Sequence, residues 1–216
     1  KLSILFIGAH PDDIELGCGG TICHFIKRDY EVYCYHLTNG AYTDIEGESV
    51  RQTEEILETS KKSLGVLGVK EENIYFTSIP ATQLKVNKSS ISDLQKYIID
   101  KQIDTIFTHS DPDTYHQDHR AAHNITMAGA RRYVNNIFLF ELMFNYAAGL
   151  MIPNYYIDIT DYIEKKAESL RCHLTEYNKF GGEEWINSMK SLANYRGIQV
   201  GKQYAEAFHV MKYLVD

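Results

Sequence analysis

Short apolar runs alternate along this chain with stretches whose apolar positions recur every three or four residues. Residues 2–7, 32–37, 74–77, 104–108 and 137–142 read as strands. Between them the spacing predicts helices: one through Ile22, Phe25 and Ile26 to Arg28, and one over 49–67 with Ile56, Leu57, Leu64 and Leu67 on one face. Ile91, Leu94 and Ile98 mark a third helix, and 118–133 a fourth. The tail reads as a strand at 155–159, then a long helix from near Asp161 with Ile163, Ala167, Leu170 and Leu174 on one side. A further helix at 183–195 and a strand at 204–213 close the chain.

Strands alternating with helices imply a mostly parallel sheet covered on both faces. Right-handed crossovers make this a Rossmann-like three-layer α/β/α fold. No repeat or low-complexity linker interrupts 1–216, which is expected to be one domain. Its core would span 1–142, and 143–216 would extend the sheet edge or roof the cleft.

Two polar stretches break the pattern. Gly8-Ala-His-Pro-Asp-Asp13 follows the first strand, and His109-Ser-Asp-Pro-Asp-Thr-Tyr-His-Gln-Asp-His119 follows the fourth. A capping aspartate explains one carboxylate of the first stretch, but not His10, Asp12 and Asp13 together. In the strand order 3-2-1-4-5 the first and fourth strands are neighbours at the point where the order reverses. Ligands bind there, beyond the carboxyl ends of the strands, so the two stretches are expected to face each other.

His10, Asp13 and one histidine of the second stretch would make two imidazoles and a carboxylate, the donor set of a catalytic zinc with an open position. Asp12, beside the metal, would take a proton from water. His116 would polarise or protonate the substrate with Asp118 orienting its ring, and hydrolysis of an amide or ester is the chemistry this set suits. The third ligand stays open between His119 and His109, and His119 with His123 forms another metal pair at helical spacing. His24, His36, His173 and His209 sit among apolar neighbours and read as core-edge residues. Gly17, Gly19 and Gly20 do not make a dinucleotide fingerprint, because position 22 is Ile and the turn carries carboxylates; they read as points of close backbone approach.

Composition narrows the partners. A net charge of −7, with no long basic run, argues against nucleic acid. No stretch is long and apolar enough for a membrane span, and no signal-peptide pattern opens the sequence. The four cysteines form no C-x-x-C pair, which points to small buried residues in a reducing cytoplasm.

Ala9-His-Pro-Asp-Asp13 with Gly17-Cys-Gly-Gly-Thr21, and His116-Gln-Asp-His-Arg-Ala-Ala-His123, resemble the LmbE-like, or PIG-L, N-acetylglucosaminyl deacetylases. Arg51 in Val-Arg-Gln-Thr-Glu resembles the arginine that begins that family's second helix. Arg196-Gly197, Gly201 and Tyr204-Ala-Glu-Ala-Phe208 resemble its C-terminal signature. The resemblance implies a zinc-dependent amidohydrolase that deacetylates N-acetylated amino sugars, with iron(II) or another divalent ion as alternative metals. By position, His10, Asp13 and His119 would hold the metal and Asp12 would be the base. His116, held by Asp118, would stabilise the oxyanion and assist the leaving amine, while Arg51 and Tyr204 would line the substrate cleft. The substrate would be a small amino sugar, and the resemblance leans toward a homo-oligomer. An amidase or esterase acting on another N-acyl or thiol-sugar conjugate is the alternative. Many members carry Glu directly after the second aspartate; here Ile14 precedes Glu15, which leaves that glutamate without an assigned role.

Overall fold

Residues Ser3–Gly8 (β1) do not alternate in burial: from Ile4 onward every one is buried, as a central strand covered on both faces requires. In the computed structural model, which describes residues 2–43, 45–110, 116–143 and 151–215, β1 lies within a seven-stranded sheet. The other strands are Glu31–His36 (β2), Ile74–Phe76 (β5), Thr105–His109 (β6), Asn136–Phe140 (β7), Tyr155–Asp158 (β8) and Ala205–Tyr213 (β9). A separate two-stranded hairpin pairs Tyr42–Thr43 (β3) with Ser49–Arg51 (β4). The sheet order is β5-β2-β1-β6-β7-β9-β8. The five strands from β5 to β7 are parallel, and β9 runs antiparallel to both β7 and β8. The expected 3-2-1-4-5 order is therefore present, with its reversal between β1 and β6.

Helices cover both faces. Asp13–Ile26 (α1), Thr53–Leu67 (α2), Ile163–Arg171 (α5) and Glu183–Ile198 (α7) share one apolar cluster with Phe6, Phe107 and Phe138 of the sheet. Lys88–Asp100 (α3) and Gln117–Ala130 (α4) pack on Leu5, Ile7 and Ile106 of the other face. The glycines of α1 are where other side chains press in. A Cβ on Gly17 would lie 2.5 Å from the Phe140 ring, and one on Gly20 2.5 Å from Ile159. Close approach, not phosphate binding, accounts for them.

Two boundaries differ from the sequence reading. Residues 49–51 form β4 and not helix, because the buried face of α2, starting at Ile56, reaches back only one turn to Thr53. The long helix expected from Asp161 is broken after Arg171, and a short helix Leu174–Lys179 (α6) follows. Ile163, Ala167 and Leu170 are buried as expected, but Leu174 is exposed. The break turns His173 inward, where it meets Glu15 of α1 at 2.9 Å. Among the described residues no helix is long and apolar enough to cross a membrane.

Candidate metal centre

The turn after β1 holds its carboxylates away from capping. Asp12 occupies the position before α1 at φ 133° and ψ −27°, and makes no side-chain cap. Such a backbone costs a non-glycine residue about 1–3 kcal/mol and persists only where its surroundings over-determine it. Asp13 accepts the His10 N–H at 2.7 Å, which folds the turn back on itself.

The loop after β6 meets this turn. His119, on the first turn of α4, brings Nε2 to 3.2 Å from His10 Nδ1 and 3.3 Å from Asp13 Oδ1. His10 Nδ1 stands 3.5 Å from the other Asp13 oxygen, Oδ2, closing a triangle in which the carboxylate turns one oxygen to each imidazole. Donors bound at 2.0–2.1 Å around a tetrahedral cation stand about 3.3–3.4 Å apart, so these three residues fit a divalent ion. The outer nitrogen of His10 strengthens the fit: Nε2 lies 2.9 Å from Asp118 Oδ2, which fixes the tautomer whose Nδ1 lone pair faces the triangle. Two triples of metal-capable residues share His119, namely His10-His116-His119 and Asp13-His109-His119.

His109 is engaged differently. Its Nε2 accepts the Ala9 N–H at 3.0 Å and lies 3.1 Å from Asp13 Oδ2, while its ring stacks on His119. That lone pair is committed to the main chain, which makes His119 the better third donor. His123 points its Nδ1 at the His109 carbonyl, 2.9 Å away, so the His119–His123 pair does not form. His24, His36, His173 and His209 stand outside both triples.

The site's charges are tightly coupled. Burial depresses the His10 pKa, but hydrogen bonds to Asp118 and Asp13 outweigh it and raise the value to about 9. Asp13 is lowered well below the usual range; His119 and His109 overcome its desolvation. Asp12 is pushed up to about 7 by burial and then by Asp13 and Glu176. His116 falls to about 4, through burial and then the nearby His10 and His119. A proton on His10 and a cation in the triangle are alternatives, so a cation held there would displace that proton.

Asp118 does not orient His116 with its carboxylate, as the sequence reading expected. Oδ2 serves His10 and also accepts the Thr82 N–H at 2.6 Å; His116 Nδ1 instead accepts the Asp118 main-chain N–H at 3.2 Å. The reason is helix geometry: His116 is the residue before α4, so its ring satisfies a first-turn N–H. Its Nε2 then carries the proton. Arg51 is buried and paired with Glu176 at 2.8 Å, and both act electrostatically on Asp12. Tyr204 ties to Thr160 and the apolar cluster, and among the described residues no contact joins it to the triangle. Residues 111–115 of the second polar stretch lie outside the described residues.

Sequence reasoning missed the layer behind Asp12. Glu15, His173 and Glu176 are all buried, and α6 supplies the last of these. Only the break at residues 172–173 would have signalled it, and helical periodicity hides that break.

Fold and cluster together define an α/β protein with a candidate metal centre at its topological switch point. The chain belongs to the GlcNAc-PI de-N-acetylase (PIG-L) family, whose model matches residues 5–130. It is 29% identical over 225 residues to the diacetylchitobiose deacetylase of Thermococcus kodakarensis, covering 94% of this chain and 80% of that protein. The N,N'-diacetylchitobiose deacetylase of Pyrococcus horikoshii, solved with an inhibitor, superposes with a TM-score of 0.82 at 26% identity, covering 97% of this chain and 84% of that one. GalB, a 4-carboxy-2-hydroxymuconate hydratase of Pseudomonas putida, superposes equally well, at 0.82 over 100% of this chain and 98% of its own, with 18% identity. That likeness shows the fold alone, and the fold alone does not choose the reaction.

Proposed function

We propose that this protein is a metal-dependent hydrolase that removes the acetyl group from an N-acetylated amino sugar. The observation that carries the reading is the His10–Asp13–His119 triangle with Asp12 beside it and outside the donor set. Two imidazoles and one carboxylate with room for a fourth ligand suit zinc, and iron(II) also accepts such a set. A divalent cation held there supplies Lewis-acid polarisation of water and of the amide carbonyl.

The chain's own groups do the rest. Asp12 takes the proton from the attacking water and passes it toward the nitrogen as the C–N bond breaks, releasing acetate and a free amine. His116 presents an Nε2–H to the carbonyl oxygen as it gains negative charge. Arg51, oriented by Glu176, keeps further N–H donors for the hydroxyls of the sugar. We read 1–216 as one catalytic unit, since β8 and β9 complete the sheet and the Arg51–Glu176 pair joins its two parts. The four free thiols support a reducing, cytoplasmic setting.

Acetate release from N-acetylglucosamine and N,N'-diacetylchitobiose tests the reading. A chelator is expected to abolish it and added zinc to restore it. Asp12→Asn is expected to keep its metal while kcat falls about 10²–10⁴-fold. Ester cleavage with no acetate from any amino sugar would favour an esterase or amidase instead, and full activity in Asp12→Asn would remove the assigned base.

A further inference from the structure

The carboxylate of Asp12 is aimed by its main chain alone. It caps nothing, and among the described residues no hydrogen bond holds it. Its direction therefore follows from a backbone at φ 133°, where a β-carbon is disfavoured. His10 and Asp13 differ, because each is also gripped through its side chain: His10 by the Asp118 carboxylate and Asp13 by the His10 N–H. Whatever fixes the main chain of this turn thus matters most for Asp12.

The end of β2 supplies that hold. Main-chain pairing with β1 runs past the strand: the Leu37 N–H donates to the Gly8 carbonyl at 2.9 Å and the Thr38 N–H to the Ala9 carbonyl at 3.0 Å. The Asn39 N–H then turns away to Ile79, and side chains take over. His36 brings Nδ1 to 3.3 Å from the His10 carbonyl, which also accepts the Asp13 N–H at 3.3 Å. A carbonyl only accepts, so this Nδ1 carries the proton. Pro11 rests on Gly40, where a Cβ would lie 2.8 Å from its Cδ. For packing alone the imidazole is a costly choice. His36 is fully enclosed and stacks on Phe76 at 4.6 Å, yet among the described residues its Nε2 finds no hydrogen-bond partner. An apolar side chain would fill the place without burying an unsatisfied acceptor. What the imidazole adds is an N–H for the turn.

We propose that His36 is a positioning residue for the reaction: its Nδ1–H pins the His10–Pro11 peptide, and with it the main chain of Asp12, so that the Asp12 carboxylate stands beside the cation site and clear of its donor set. This rests on the deacetylase reading above in taking Asp12 as the base.

Two substitutions separate this role from packing. His36→Leu keeps the bulk and loses the N–H, whereas His36→Asn keeps a donor near the place of Nδ1 and loses the ring. On the metal-loaded protein with an N-acetylated amino sugar, His36→Leu is expected to lose kcat about 10–100-fold with KM within a few-fold, the effect of misplacing a reacting group by about 1 Å. Its cation affinity, by competition with a chelating dye, is expected to stay within a few-fold of wild type, and its melting temperature not to fall. His36→Asn is expected to do the reverse, melting lower while kcat stays within a few-fold. Packing alone would make activity follow stability in both variants. Full kcat in His36→Leu, a clear drop in its melting temperature, or kcat falling in step with stability in both variants would overturn the assignment. A crystal structure of His36→Leu reads the same point without turnover: Asp12 is expected to leave its positive φ, and an unchanged turn would overturn the proposal. Should the wild type release acetate from no amino sugar while Asp12 still shifts in the variant, the deacetylase reading fails and the positioning role stands. Should acetate be released equally by wild type and His36→Leu, the positioning role fails and the deacetylase stands.

Discussion

The carboxylate of Asp118 holds the ring of His10, 2.9 Å from Nε2, while the ring of His116 rests on the main-chain N–H of Asp118. One residue thus touches both groups by different atoms, and the two contacts separate under mutation. Removing a carboxylate behind a metal-binding histidine typically costs about 10–100-fold in metal affinity. Asp118→Ala is expected to weaken cation binding by that factor in competition with a chelating dye. His116→Ala is expected to bind the cation within a few-fold of wild type and to lose kcat. If Asp118→Ala binds as tightly as wild type and loses only kcat, the carboxylate serves His116 after all.

The contact of α1 with β7 gives a second pair of variants. A methyl group on Gly17 would lie 2.5, 2.9 and 3.0 Å from three atoms of the Phe140 ring, which is itself buried and cannot swing away. Overpacking of this kind costs about 1–3 kcal/mol, so Gly17→Ala is expected to lower the melting temperature by several degrees. Gly65, on the exposed side of α2, has nothing within 4 Å of its added Cβ. Gly65→Ala is expected to stabilise by about 0.5–1 kcal/mol, because alanine loses less backbone entropy in a helix. Equal melting shifts in the two variants would mean that the Phe140 ring moves freely.

The uneven legibility of the sequence has a physical cause. Strands of this sheet are apolar on both faces, so their runs stand out, and the parallel order follows from the alternation with helices. His10 and Asp13 stood out for the opposite reason: charged groups next to a buried strand have no packing explanation, whereas the third donor stayed open between His119 and His109 until the resemblance pointed to His119. Glu15, His173 and Glu176 were not, because each is one polar residue inside an otherwise helical stretch. His173 looks like a core-edge histidine until the chain breaks at its position and turns it onto Glu15. The Glu141–Arg196 ion pair joins residues 55 apart in sequence, a juxtaposition only the β7–β9–α7 packing creates. Tyr204 was carried over by resemblance alone, and its main chain is tied to Thr160.

The thiols offer a check on burial that is independent of activity. Cys18 and Cys34 are fully enclosed, and desolvation pushes both well above the usual thiol range. Burial likewise raises Cys23 to about 11. Cys172, at the end of α5, is partly exposed. Burial raises Cys172 as well, and since the thiolate is the reactive form, titration of the native protein with a disulfide reagent at about pH 8 is expected to show one thiol, the partly exposed Cys172, reacting ahead of the other three. Denaturation is expected to release all four. Two or more fast thiols in the native protein would mean that the α1 layer opens readily.

The buried Glu15–His173 pair makes stability depend on pH in a set direction. Burial alone would depress His173, but the charge and hydrogen bond of Glu15 win, and its pKa is raised above the ordinary 6.5. A histidine whose native pKa is raised stabilises the fold fully below its unfolded value and loses that contribution as pH climbs through the native one. In Glu15→Gln the raising partner is gone and desolvation dominates, so His173 is expected to titrate below 6.5 and to favour folding as pH rises. Breaking one side of a buried pair costs about 3–5 kcal/mol. Denaturant unfolding in the presence of chelator, which removes any contribution from bound cation, is therefore expected to show wild type ahead of Glu15→Gln by about that amount near pH 6. The gap is expected to narrow steadily toward pH 9. A gap that stays constant across that range would mean that His173 is neutral in the folded protein and that its contact with Glu15 is a hydrogen bond without charge.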